Sequence, residues 1–131
     1  MDKVLVLRVG EKKTVGVEMP FEKGAGLDFY YKNLNCELID IVDAHGLASY
    51  PELSDLCLVC DDEGIFNSGA VNAVASLLYG YMEHGQALFG NVLVCKNHYT
   101  EDGTETVGLT DEEMEALQEA IHDMICKCVM K

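Results

Sequence analysis

The sequence has no long apolar run, almost no positive charge after residue 32, and no catalytic fingerprint. Each gap excludes something. No run approaches the ~20 apolar residues that cross a bilayer, so no membrane-spanning helix is expected. The opening MDKVLVLRVGEKK holds a short apolar stretch hemmed in by charge. It lacks the apolar core and small-residue cleavage site of a signal peptide and reads as a first strand. The expected setting is the cytoplasm. The six cysteines then read as reduced, mostly buried thiols rather than a disulfide scaffold.

The shortage of base is local. Residues 1 to 32 carry six bases (Lys3, Arg8, Lys12, Lys13, Lys23, Lys32) against five acids, whereas residues 33 to 126 carry eighteen acids and one base, Lys96. The formal net charge is −14. Such a surface repels phosphate backbones and anionic membranes, so direct nucleic-acid or membrane binding is not expected. A basic protein partner is allowed, and a solvated acidic coat is the bland alternative.

No G-x-S-x-G, phosphate-binding loop or dinucleotide fingerprint is present. The histidines at 45, 84, 98 and 122 stand in no metal-ligand or catalytic spacing. No cofactor is called for. No repeat, low-complexity tract or Pro/Ser-rich linker divides the chain, so 1–131 reads as one domain.

What is present is a succession of short elements. VLVLRV (4–9) and TVGVEM (14–19) read as antiparallel strands around a GEKK turn. GAGLDFYYKNLN (24–35) reads as a helix burying Leu27, Tyr30, Tyr31 and Leu34. CELIDIV (36–42) is a strand and 43–55 a loop. LCLVC (56–60) is an apolar strand; DDEG turns it, Gly64 supplies positive φ, and IFN starts a return strand, giving a hairpin over 56–67. NAVASLLYGYM (72–82) is a helix capped by Asn72, with Val74, Leu77, Leu78 and Tyr81 on its core side. NVLVCK (91–96) is a strand, and 97–108 forms a further β-excursion around EDG. The closing helix opens with a Thr110/Glu113 capping box and carries an apolar stripe of Met114, Leu117, Ile121, Met124, Ile125 and Cys128. The sum is α+β: a mostly antiparallel or mixed sheet packed by two to three helices.

The chemistry-bearing residues each have a plainer explanation. Cys57 and Cys60 form C-x-x-C, but inside an apolar strand side chains three apart point to opposite faces, so the two thiols cannot converge on a metal or a disulfide. Asp61, Asp62 and Glu63 do not match a calcium loop and read as a turn. Phe29, Tyr30 and Tyr31 cannot all be buried by one helix, which leaves an aromatic for a binding surface.

The order of these pieces resembles a small domain-of-unknown-function family carried by phages, plasmids and Firmicutes genomes. The resemblance rests on CELIDIV, LVCDDEG, the Asn72 that opens NAVASLL, Gly90 in FGNVLVC, and LTDEEME. The sequence departs from it at Asn35-Cys36, where glycine is frequent, and at A-V-N, where P-x-N is frequent. The resemblance implies an uncharacterised accessory protein of a mobile element and carries no activity with it. Its matching positions are Glu63, Gly64, Asn72 and Gly90, and Asn72 at a helix start suits an anionic ligand.

The functional expectation is a non-enzymatic acidic protein that binds a host protein, such as a defence or replication component. The binding candidates are Tyr30, Tyr31, Asp61, Asp62, Glu63 and Asn72. The alternative is a small-ligand, nucleotide-like binder with its pocket at Asn72 and Tyr30 or Tyr31 stacking on a base. An exposed edge strand, for instance 91–96, offers a route to a homodimer.

Overall fold

The computed structural model describes residues 3–10, 14–21, 27–80 and 85–129. Six strands form one antiparallel sheet: β1 (Lys3–Val9), β2 (Thr14–Pro20), β3 (Ile39–Asp43), β4 (Leu56–Asp61), β5 (Val92–Thr100) and β6 (Gly103–Val107). Their order is β2-β1-β5-β4-β3, with β6 beside the far half of β5. Among the described residues there are four α-helices: α1 (Leu27–Leu34), α2 (Gly64–Asn67), α3 (Ala73–Tyr79) and α4 (Asp111–Val129). The segment 43–55 is not bare loop: it contains two 3₁₀ turns, His45–Leu47 and Pro51–Leu53, which bury Leu47 and Leu53. The expected α+β class holds.

Period-two alternation explains how the sheet is used. On β4, Cys57 and Val59 face one way and pack with Val4, Val6, Leu93 and Cys95 beneath α1. Leu56, Leu58 and Cys60 face the other way and pack with Leu5, Leu7, Val92 and Val94 under α3 and α4. Both faces are covered, so LCLVC is a continuous apolar run although its neighbours are antiparallel. Each fully buried side chain of this kind adds ~1.5–3 kcal/mol. The C-x-x-C cysteines therefore lie in two separate cores.

Three expectations are corrected. The strand 91–96 is not an edge: β5 pairs β1 through 92–94 and β4 through 92–96, and the five-strand path ends in β2 and β3, with β6 paired only to β5. Strand order is set by long-range packing, which a local apolar run does not encode. Helix α1 buries Phe29, Tyr30 and Leu34, while Leu27 is 53% exposed and Tyr31 is half-buried. The helix is turned so that the Phe29 ring meets Phe21 and Tyr30 edge-on, at 5.4 and 5.7 Å. Residues 24–26 of the expected helix, and Tyr81 at the end of the next, lie outside the described residues.

The third correction is the hairpin. IFN does not return as a strand; it forms the single-turn helix α2. Gly64 does not need positive φ either. A Cβ at Gly64 would stand 2.6 Å from the Phe89 carbonyl oxygen, so close backbone approach is what requires glycine there.

The caps are as expected. Asn72 Oδ1 accepts the Ala75 N–H at 3.0 Å. At the other end of α3, Gly80 adopts φ 87° and donates its N–H to Ser76 and Leu77 carbonyls. For α4, Thr110 Oγ1 accepts from Glu113 N at 3.2 Å and Glu113 Oε1 from Thr110 N at 3.0 Å. Met114, Leu117 and Ala120 are buried, Ile121 and Met124 pack against that core half-buried, and Ile125 is 38% exposed. The Cys128 side chain lies outside the described residues.

Candidate functional site

The run of acids begins where β4 leaves the core. Asp61 turns the chain: its Oδ1 accepts the Glu63 N–H at 2.8 Å, and its Oδ2 accepts from Asn67 Nδ2 at 2.9 Å. This Asx turn launches α2, whose first bonds run from Phe66 N and Asn67 N to the Glu63 carbonyl at 3.0 and 2.9 Å. Asp62 donates its N–H back to the Leu38 carbonyl at 3.0 Å, tying the turn to the start of β3. Asp62 and Glu63 themselves are exposed.

Helix α2 is too short to bury a face. Gly64 is pressed against the Phe89 backbone, and the outward residues are Ile65, 55% exposed, and Phe66, 86% exposed. Phe66 is the most exposed large apolar side chain among the described residues.

These groups border an open depression of about 170 Å³. Asp40, Asp61, Asp62 and Glu63 supply carboxylates; Phe66 and Tyr79 supply aromatic surface. No Lys, Arg or His is among its described lining residues. Glu63 also borders a second open depression, of about 500 Å³, with Tyr31, Asn35 and Cys36. Glu63 thus stands between Phe66 and Tyr31.

Of the residues singled out from sequence, Asp61, Asp62 and Glu63 come together, and Tyr31 joins them through Glu63. Tyr30 and Asn72 do not. Tyr30 is buried beneath α1 with its hydroxyl hydrogen-bonded to the Thr106 hydroxyl, and burial pushes its phenol up to about 12. Asn72 has no exposed surface. Its Nδ2 donates to the carbonyls of Leu7 and Gly90, both at 2.9 Å, and its N–H donates to Leu88 O at 2.8 Å. With its Oδ1 already capping Ala75, Asn72 ties α3 to β1 and to the start of β5. Tyr30 and Asn72 lie on opposite sides of the sheet, so they share no cavity. Phe66 was missed by sequence reading because a return strand would have given it a neighbour; no periodicity is visible in four residues.

The thiols are placed for packing. Burial pushes Cys57 up to about 12, with Asp43 adding to it; Cys60 reaches about 12 for the same reason, with Asp40, Asp62 and Asp61 adding to it. Burial raises Cys95 as well. These three are buried and free of disulfides. Cys60 Sγ donates to the Asp40 carbonyl at 3.5 Å. A cysteine–histidine contact does exist elsewhere: Cys126 Sγ and His122 Nε2 are 3.6 Å apart on successive turns of α4, a spacing legible in the sequence. Among the described residues no three His, Cys, Asp or Glu side chains form a group able to hold a metal, and no helix is long and apolar enough to cross a membrane.

No curated protein and no solved structure matches the chain. A family model does match, over residues 1–122, and its description is a domain of unknown function, DUF3846. That match takes in β1 through most of α4, including the whole of the acidic turn and α2, so the chain belongs to the DUF3846 family.

Proposed function

We propose that this protein is a non-enzymatic binding protein whose contact surface is the acidic turn and the α2 knob. One observation carries the reading: Phe66 stands 86% exposed among Asp61, Asp62, Glu63 and Asp40, with no Lys, Arg or His among the described residues that line the depression. An exposed aromatic in water has a cost that binding removes, and aromatics anchor interfaces. Unneutralised carboxylates around it select a basic partner and speed its approach. Arginine suits both features, because its guanidinium pairs with carboxylates and stacks on aromatic rings.

The mobile-element setting and a bacterial cytoplasm are what the resemblance carried by CELIDIV, LVCDDEG, NAVASLL and LTDEEME implies, and a host protein as the partner is proposed from the acidic bias of residues 33 to 126. In that setting the protein acts as an accessory that engages a host component, including one of its defences, by occupying a basic surface.

The test is affinity capture with the wild-type protein and with a Asp62→Lys/Glu63→Lys/Phe66→Ala variant. The expected result is a captured protein that is lost with the variant and released as salt rises from low to physiological strength and beyond, since surface charge is screened over ~10 Å at 0.1 M. Capture indifferent to both the variant and salt overturns the reading.

A further inference from the structure

The outer edge of β3 has no partner strand among the described residues; Ile39–Asp43 pair only with β4. A strand edge exposes a row of backbone donors and acceptors, and proteins guard such edges with charge, proline, bulges or short length; the charges on this short edge, Asp40 and Asp43, are both negative and so discourage every strand but a basic one. The sequence of β3, IDIVD, has neither lysine nor proline. Its register with β4 is unbroken over five residues.

Side chains along this edge alternate in a usable way. Asp40 and Val42 face the depression beneath α2. Ile39, Ile41 and Asp43 face the other side, where Ile41 is 46% exposed. The edge therefore offers a backbone ladder, an apolar strip on one face, and carboxylates with Phe66 on the other. A second copy of this chain is a poor occupant, because pairing β3 with β3 brings together two edges that each carry Asp40 and Asp43 and no base, and like charges across strands destabilise.

We propose that the partner binds as an extended segment that adds to β3 as a seventh strand of the six-stranded sheet, with arginine or lysine alternating with apolar residues. Its basic side chains reach Asp40, Asp61 and Asp62 beside Phe66, and its apolar ones cover Ile41. Main-chain bonds supply affinity and alternate side chains supply specificity, as in other strand-addition complexes. This rests on the protein-binding reading and adds its mode.

The test uses a fluorescent peptide of about seven residues alternating arginine and valine, a length suited to one strand. Two further versions carry N-methyl groups on one or the other alternate set of amides, which leaves charge unchanged. Anisotropy titration should show binding of the parent peptide and a loss of about tenfold or more with one methylated set only, the set that faces β3. Asp40→Lys and Ile41→Lys, both at exposed positions, should each weaken binding, and Glu119→Lys on α4 should not. Equal effects of the two methylated sets overturn strand addition while leaving an electrostatic contact standing. No binding of any of these cationic peptides overturns the strand-addition mode, and the protein-binding reading is then decided separately by capture with the Asp62→Lys/Glu63→Lys/Phe66→Ala variant. Self-association of the protein that Asp40→Lys abolishes puts a second copy on the edge and overturns the proposed occupant.

Discussion

On one face of the sheet, α3, α4 and both 3₁₀ turns bury Leu5, Leu7, Leu58, Val92 and Val94 in the larger core. On the other, the eight-residue α1 covers Val4, Val6, Val59 and Leu93, with Met19 and Ile39 of the edge strands only partly buried against that cluster. The rim shows the difference: Val15 and Val17 on β2 are 43% and 36% exposed, and Ile41 on β3 is 46% exposed, all on the α1 side. The well-covered face holds the fold. The thinly covered one leaves apolar surface at the edges, and at the β3 edge that surface adjoins the acidic turn. On the proposed reading, contact falls to the exposed β3 edge and the acidic turn, while the buried side chains of the larger core hold the fold.

The sharpest way to break this comparison is to truncate equivalent apolar residues on each side. Leu58→Ala, fully buried under α3 and α4, should cost about 2–5 kcal/mol in urea unfolding. Ile41→Ala on the open rim should stay near 0.5 kcal/mol. Similar costs for both would erase the distinction. Next comes Asn72→Ala, which strands the carbonyls of Leu7 and Gly90 and the N–H of Ala75 inside the larger core. It should cost about 1–3 kcal/mol, against almost nothing for Asp62→Ala at the exposed turn.

The smallest expected effect concerns the α4 cap. Thr110→Ala should cost about 1 kcal/mol. Its partner Glu113 gives this face a pH signature. Burial pushes the carboxyl up, but the Lys96 ammonium at 2.8 Å and the Thr110 N–H outweigh it, and the net shift is downward. A carboxylate lowered on folding stabilises fully above its unfolded value of ~4.3, and that contribution fades as pH falls through the folded value. Glu113→Gln should therefore be less stable than wild type at pH 7, with the difference shrinking below pH ~4. A difference that grows on acidification would reverse the assignment.

Much of the larger core was legible in the sequence, because period and chemistry agreed. LCLVC is apolar throughout and read as a strand, from which the divergence of Cys57 and Cys60 followed; the cover on both of its faces is what the structure adds. Thr110 and Glu113 marked the start of α4, and Asn72 marked α3. The site was legible in its acids but not in its shape. Gly64 suggested a turn with positive φ, whereas the backbone of Phe89, distant in sequence, is what demands glycine. The edge identity of β3 and the interior position of β5 depend on strand order. No window of residues reports that order. The exposure of Phe66 follows from α2, and four residues carry no readable helical period.

The most direct measurement is amide chemical-shift mapping of the isotope-labelled protein as an arginine-bearing peptide is added. The expected perturbations concentrate at Leu38–Asp43 and Asp61–Asn67, leaving α4 and the Asn72 region unchanged. Perturbations centred on α4, or none at saturating peptide, would contradict a contact surface built from the acidic turn and α2.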